Sequence, residues 1–318
     1  MFTSAELPRT PFVPWVFSHA ARLEQMSIRG MITDPGQLAK ALQNAQKLYK
    51  YDAIVNNFDS SLEAEACGCQ VRWEDDYHLP TLSSFSGGGD ICEMDLSNLD
   101  KRGRLPVVLE AMHRLKTVMG RTVAIVGVVT GPVTLAAKLS GSDITKKLEE
   151  DPEEAGQLLD FTGRVSLRIC KAYCELQPDM IAVADDLLLK VSPQHFQKLT
   201  LLYSSLSNLI HFYDASFVLI TRVEALRNLN FFTSLGLDGI VVGGRTDFGL
   251  MKEIAQKTNL VVGAGIPNAT LLSTEEEIRK NIKKYVDTMG NRRYFLSTEE
   301  EVPYDFPPEK MHLLLQCL

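Results

Sequence analysis

Three acidic residues are candidates for chemistry, and two of them, Asp59 and Asp186, stand where a carboxylate needs a reason. Asp59 closes Asn57-Phe58-Asp59, Asp186 follows Ala184-Asp185, and Glu300 lies within Thr298-Glu299-Glu300-Glu301. Each comes directly, or within a few residues, after a short apolar run. Carboxylates gathered in one cleft raise one another's pKa, so one of them can serve as a general acid near neutral pH. His19, in Ser18-His19-Ala20-Ala21-Arg22, is a fourth candidate for proton transfer. Around these stand residues suited to holding a substrate: the cations Arg22 and Arg222, the acceptors Glu65 and Asp185, and the aromatic face of Trp73. A plainer reading has Asp185 capping the next helix and Glu299–Glu301 forming a solvated face.

Residues so far apart in sequence converge only if the chain repeats one unit. Apolar, β-rich runs occur at Val13–Phe17, Ala53–Asn57, Thr122–Val128, Met180–Ala184, Ser216–Ile220, Gly239–Val242, Leu260–Val262 and Tyr294–Ser297. Runs without polar alternation read as parallel strands buried on both faces. Helix signals lie between them. Asp34-Pro35 opens a helix through Lys50, Asp151-Pro152 one to about Leu176, and Ser192-Pro193 one to about Leu209. Ser273 with Glu276 reads as a capping box before Ile278–Met289, and a last helix follows Pro308. Eight strand-helix units predict a single (β/α)8 barrel spanning residues 1–318, with a doubly wound open sheet as the alternative. In such a barrel the chemistry sits on the loops that follow the strands, where all the candidates above fall. One connection, residues 60–104, is far longer than the others and reads as a lid or binding insertion.

The formal net charge of −7 disfavours a polyanionic partner such as nucleic acid. No apolar run has transmembrane length, and Met1–Pro8 lacks the basic and apolar regions of an export signal, so a cytoplasmic, membrane-free protein is expected. Six cysteines are too few for a disulfide scaffold; Cys67/Cys69 and Cys170/Cys174 read as buried thiols rather than as a metal site. Gly243-Gly244 and Gly263-x-Gly265 read as tight turns rather than a phosphate cradle. His211 precedes a strand, which places it on the face away from the chemistry.

The strand ends taken together resemble the uroporphyrinogen decarboxylase superfamily, which includes corrinoid-dependent methyltransferases. The carriers are Pro14 to Arg22, Asn57 to Gly68, Gly127 to Leu135, Ala184-Asp185-Asp186, Gly236 to Gly239, and Arg293 onward to Glu309. The resemblance implies a TIM barrel. It matches Asp59 to the decarboxylases' catalytic aspartate and keeps only Arg22 of their two N-terminal arginines. Their tyrosine falls at Lys138 and their C-terminal histidine at Glu300. The acidic segment Glu63-Ala64-Glu65-Ala66-Cys67-Gly68 is similar to the methyltransferase branch. The zinc ligands of that branch fall near Ile220–Arg222 and at Glu300, so its thiolate zinc site is absent and any other metal is left open.

These correspondences imply an enzyme that moves a methyl group from a small O- or N-methylated donor to a corrinoid carrier protein. Residues 60–104, with Trp73, would cover the donor and meet the carrier. The alternatives are a uroporphyrinogen decarboxylase of porphyrin biosynthesis and a catalytically silent, tetrapyrrole-binding relative.

Overall fold

The computed structural model describes residues 7–83, 85, 90–221, 229–244, 246–289 and 293–318. Eight strands form one sheet: β1 (Phe12–Val13), β2 (Ala53–Val55), β3 (Ala124–Thr130), β4 (Met180–Ala184), β5 (Ser216–Ile220), β6 (Gly239–Val242), β7 (Val261–Ile266) and β8 (Tyr294–Thr298). Their order is β1-β8-β7-β6-β5-β4-β3-β2, and every ladder in it is parallel. Each expected run overlaps a strand, the first by Val13 alone, and the nearly closed sheet is a TIM-like barrel rather than an open one.

The seam between β1 and β2 shows how closure is achieved with little ladder. Pro11 and Pro14 bracket Phe12–Val13, and neither carries an N–H to donate. The first strand is therefore two residues long instead of running to Phe17. Asp52 spans the gap: its N–H donates to the Phe12 carbonyl at 2.9 Å, and its carboxylate accepts the Phe12 N–H at 2.7 Å. Arg9 Nη1 donates to the same carboxylate at 2.8 Å.

Strand side chains alternate between two apolar layers, which is why the runs lack polar punctuation. Val13, Val55, Val126, Val128, Ala182, Val218, Ile220 and Phe295 fill the barrel interior. Ile54, Ile125, Val129, Ile181, Phe217, Leu219 and Leu296 pack outward against the helices. Gly263 pairs in register with Phe295, and a Cβ there would lie 2.5 Å from the phenyl ring. Glycine at this point is a packing requirement of the interior. Gly263 and Gly265 thus lie within β7 and not in the tight turn expected of them, and the loop after β6 packs on that strand: a Cβ on Gly244 would clash with the Gly265 carbonyl.

The helices begin where their caps dictate. Asp34 accepts the Gln37 N–H to start Pro35–Tyr49, and Asp151 accepts the Glu154 N–H to start Pro152–Cys174. Near the chain's end the capping box sits one residue later than the sequence suggests. Thr274 and Glu277 exchange side-chain-to-backbone bonds at 3.1 and 3.3 Å, because Ser273 Oγ is turned back to the Thr270 carbonyl. The long connection holds a short helix, Leu62–Ala66, a hairpin pairing Val71–Arg72 with Thr81–Leu82, and two 3-10 turns. Arg164 and Arg168 tie it down on the helix Pro152–Cys174 through the carbonyls of Cys92 and Ser97.

Candidate active site

A cavity opens at the C-terminal ends of the strands. Four carboxylates line it: Asp59, Glu63, Asp186 and Glu299. Trp15 and Phe58 form an aromatic wall, with ring centroids 5.6 Å apart, and Val128, Ala184 and Ile220 form an apolar floor. The barrel thus brings Asp59 and Asp186 into one space. Glu300 lies outside it and lines an adjoining, wider rim groove with Tyr77, His78, Glu301 and Asp305. Phe58 belongs to both spaces.

Asp59 is held from several directions. It is 3% exposed, and Arg104, itself 7% exposed, donates Nη1 to its carboxylate. Ser61 donates its N–H and its hydroxyl to the other oxygen at 2.9 and 2.6 Å. Arg104 also reaches Glu65 at 2.9 Å and the Ser61 hydroxyl at 2.8 Å. Glu65 therefore lies behind Asp59, against the guanidinium, and is not among the cavity's lining residues. Trp73 stacks on the same arrangement: the guanidinium carbons of Arg104 and Arg29 lie 5.4 and 5.0 Å from its ring centroid.

Glu63 offers a contrasting carboxyl. It is 1% exposed and accepts the Thr130 N–H at 2.9 Å and the Thr130 hydroxyl at 2.8 Å. Burial pushes its pKa up, and the bonds from Thr130 only partly offset this. One cavity thus holds an ion-paired carboxylate beside a carboxyl whose surroundings favour the proton.

Asp185 and Asp186 are neighbours with different duties. Asp185 is fully buried and accepts the N–H groups of Val133 and Thr134 at 2.9 Å, the Thr134 hydroxyl at 2.6 Å and the Tyr203 hydroxyl at 2.7 Å. It caps the helix Pro132–Ser140, which precedes it in the chain, not the helix that follows. Burial raises its pKa. A Cβ on Gly131 would lie 2.4 Å from this carboxyl, so that glycine is what lets the two loops meet. Asp186 faces the cavity.

His19 is turned away from the mouth. It lies in the helix Ser18–Leu23, fully buried. Its Nδ1–H donates to the Tyr304 carbonyl at 3.2 Å, while Nε2 takes the Tyr49 hydroxyl at 2.8 Å. Burial lowers its pKa, which keeps the ring neutral. The shortened first strand explains the placement, since the chain turns into a helix directly after Phe17. Arg22 sits exposed at the rim, its guanidinium carbon 5.9 Å from the Tyr304 ring centroid. Arg222 lies outside the described residues. His211 pairs with Asp238 at 2.8 Å beside the N-terminal end of β5.

The glutamates after β8 form the part of the site that strand counting blurs. Glu299 enters the cavity, while Glu301 turns toward the first strand and accepts the Ser18 N–H. Burial pushes the Glu301 carboxyl up to about 7; the Ser18 bonds counter this, and the nearby Asp59 charge adds to it. Neighbouring residues of an irregular segment point in unrelated directions, so position alone does not single out Glu299. Cys67, Cys69, Cys170 and Cys174 are buried free thiols, with Cys67 pushed up to about 12 by burial. Among the described residues, no group of three or more His, Cys, Asp or Glu side chains is arranged to hold a metal ion. No helix among them is long and apolar enough to cross a membrane.

A TIM-like barrel with an acid-lined mouth narrows the class, and comparison with known proteins narrows it further. The uroporphyrinogen decarboxylase (URO-D) family matches residues 1–318, and the chain belongs to that family. The methylcobamide:CoM methyltransferase MtbA of Methanosarcina acetivorans is 24% identical over 282 residues, covering 85% of this chain and 83% of that protein. A solved methyltransferase from Methanosarcina mazei superimposes with a TM-score of 0.85 at 20% identity, over 98% of this chain and 94% of that one. A B12-independent methionine synthase from Shewanella sp. W3-18-1 shares the barrel at a TM-score of 0.61 and 13% identity, over 98% and 96% of the two chains.

Proposed function

We propose that this chain transfers a methyl group from a small O- or N-methylated donor to a corrinoid carried by a partner protein. The observation that carries the reading is the cavity itself, in a family whose relative MtbA is named a methylcobamide:CoM methyltransferase. It is closed at its floor by apolar side chains, walled by two aromatics and lined by carboxylates held in two different ways, Asp59 by a guanidinium and Glu63 by Thr130. A zinc-bound thiolate does not fit these residues. The positions corresponding to its ligands hold Ile220, Thr221, Arg222 and Glu300, and the described lining contains neither sulfur nor imidazole. An oxygen or nitrogen donor suits the lining better than a thiol.

The corrinoid, when docked, supplies the nucleophilic cobalt that accepts the methyl carbon. The chain's own residues then have three tasks. Trp15, Phe58 and Ile220 hold the donor and exclude water from its reacting end. Asp59, fixed by Arg104 and Ser61, orients the donor's polar group. As the bond from methyl carbon to oxygen or nitrogen breaks, its electron pair stays on the heteroatom. The Glu63 carboxyl protonates that atom, and Asp186 and Glu299 face it across the cavity. The carrier approaches over the rim groove, where Glu300 and the hairpin of the long connection stand. Decarboxylation of a uroporphyrinogen-like substrate suits this site poorly, because several carboxylates would enter a lining that already carries four.

The test mixes the chain with reduced corrinoid protein and methoxylated or methylamine donors and follows corrinoid methylation by absorbance. Transfer with at least one donor class is expected. Glu63→Gln should slow it roughly 100-fold or more, the usual scale for a lost general acid. Turnover of uroporphyrinogen with no methyl transfer to any corrinoid would overturn the reading.

A further inference from the structure

The end of β8 and the segment that follows it do more than close the barrel. They clamp the chain leaving β1, which carries the cavity's tryptophan. Ser297 Oγ donates to the Val13 carbonyl at 2.7 Å, the Trp15 N–H donates to Thr298 Oγ1 at 2.9 Å, and the Val302 N–H donates to the Trp15 carbonyl at 2.9 Å. A third side-chain contact completes this row: the Glu301 carboxylate accepts the Ser18 N–H, three residues beyond Trp15. Trp15 is 3% exposed and lies against Phe58, so its wall position depends on where this turn is held. We propose that Glu301 is a positioning residue whose bond to Ser18 is a proton-sensitive latch on the Trp15 wall. The proposal rests on reading the central cavity as the donor site.

The direction follows from the chemistry of the acceptor. An ionised carboxylate binds an N–H more strongly than a neutral carboxyl does. The latch is therefore tight when Glu301 is ionised and looser when it is protonated. Asp59 faces Glu301 from the end of β2 and, as a like charge, favours protonation. The other titratable or charged groups near it include Glu299, Glu300, Tyr304 and Asp305 on its own segment, Tyr77 and His78 on the hairpin, and His19 and Arg22 on the helix Ser18–Leu23. Arg22 is already engaged over Tyr304, and His78 is paired with Asp75 at 2.8 Å. The carboxyl titrates near neutrality, at about 7, so the cavity wall responds to pH in the range where an enzyme works.

The chain has two tryptophans, so Trp73→Phe leaves Trp15 as the single indole reporter. In that background, Trp15 emission should change sigmoidally with a midpoint near pH 7. Glu301→Gln, which keeps a neutral acceptor for Ser18, should hold the emission at its acid value across the whole range. Glu301→Ala, which removes the acceptor, should also be flat with pH, and its Trp15 should be more accessible to acrylamide. Glu301→Asp should restore a transition. A midpoint near neutrality that persists unchanged in Glu301→Gln overturns the proposal, as does a wild-type profile with no transition between pH 5 and 9. The fluorescence needs no donor or carrier, so it decides the latch separately from the methyl-transfer assay, which decides the reading of the cavity.

Discussion

On the β2 side of the mouth, Asp59, Glu65 and Ser61 converge on one buried guanidinium, and Trp73 lies across it. On the β8 side, three successive glutamates go separate ways: Glu299 into the cavity, Glu300 to the Asn268 amide at 3.2 Å, and Glu301 to a backbone N–H. The first side neutralises its charges with a cation supplied by the long connection. On the second, the buried Glu301 meets a backbone dipole instead, and burial raises its pKa. That difference predicts where substitution unfolds the protein and where it changes only chemistry or pH response.

The largest effect should come from Arg104→Met. It leaves Asp59 and Glu65 without their shared cation in a buried setting, and removing one partner of a buried pair costs about 3–5 kcal/mol. Urea denaturation measures this directly. A loss below about 1 kcal/mol would mean that water already screens the β2 side, and the contrast would fail.

Next comes the pair at the end of β4. Asp185→Asn turns an amide donor toward the N–H groups it should accept, and one buried unsatisfied group costs about 1–3 kcal/mol. Asp186→Asn, one residue on, should change stability by no more than about 0.5 kcal/mol while slowing methyl transfer. Equal stability losses for both would show that Asp186 too is structural.

The pH dependence of stability sharpens the comparison from the β8 side. The Glu301 carboxyl titrates at about 7 when folded, against an ordinary 4.5. The native state therefore holds this proton more tightly than the unfolded chain does. Its contribution is fully present below about pH 4.5 and is lost as pH rises through about 7. Relative to wild type, Glu301→Gln should gain thermal stability between pH 5 and pH 8, because the glutamine never acquires the charge. A melting-temperature difference between the two that does not change with pH would remove Glu301 from this role.

Residues differ in how visible these duties are in the sequence. The eight strands show because burial on both faces leaves uninterrupted apolar runs. Asp59 and Asp186 show because they follow such runs and the barrel gathers strand ends. Arg104 does not: it lies 45 residues from Asp59, and its role exists only once the long connection has folded back. His19 misleads because two prolines shorten β1, which turns an expected strand end into a helix. Glu299 and Glu301 cannot be told from Glu300 by position, since an irregular segment has no fixed side-chain period. Trp15 was visible as part of the resemblance, but its place as a cavity wall depends on the clamp from β8.

The smallest expected effect is also the one that separates rim from cavity. Glu300 is exposed and reaches only the rim groove, so Glu300→Gln should shift stability by no more than about 0.5 kcal/mol. If the carrier docks over that groove, removing a rim charge should raise the carrier concentration needed for half-maximal rate, and the effect should shrink as salt is added. The rate at saturating carrier should stay close to wild type, because the proposed function puts the reacting atoms in the neighbouring cavity. Glu299→Gln should do the reverse, lowering the saturated rate with little change in carrier dependence. Steady-state kinetics of both variants at two ionic strengths distinguish these patterns. A fall in the saturated rate for Glu300→Gln equal to that for Glu299→Gln would place both glutamates in one working site and erase the boundary between groove and cavity.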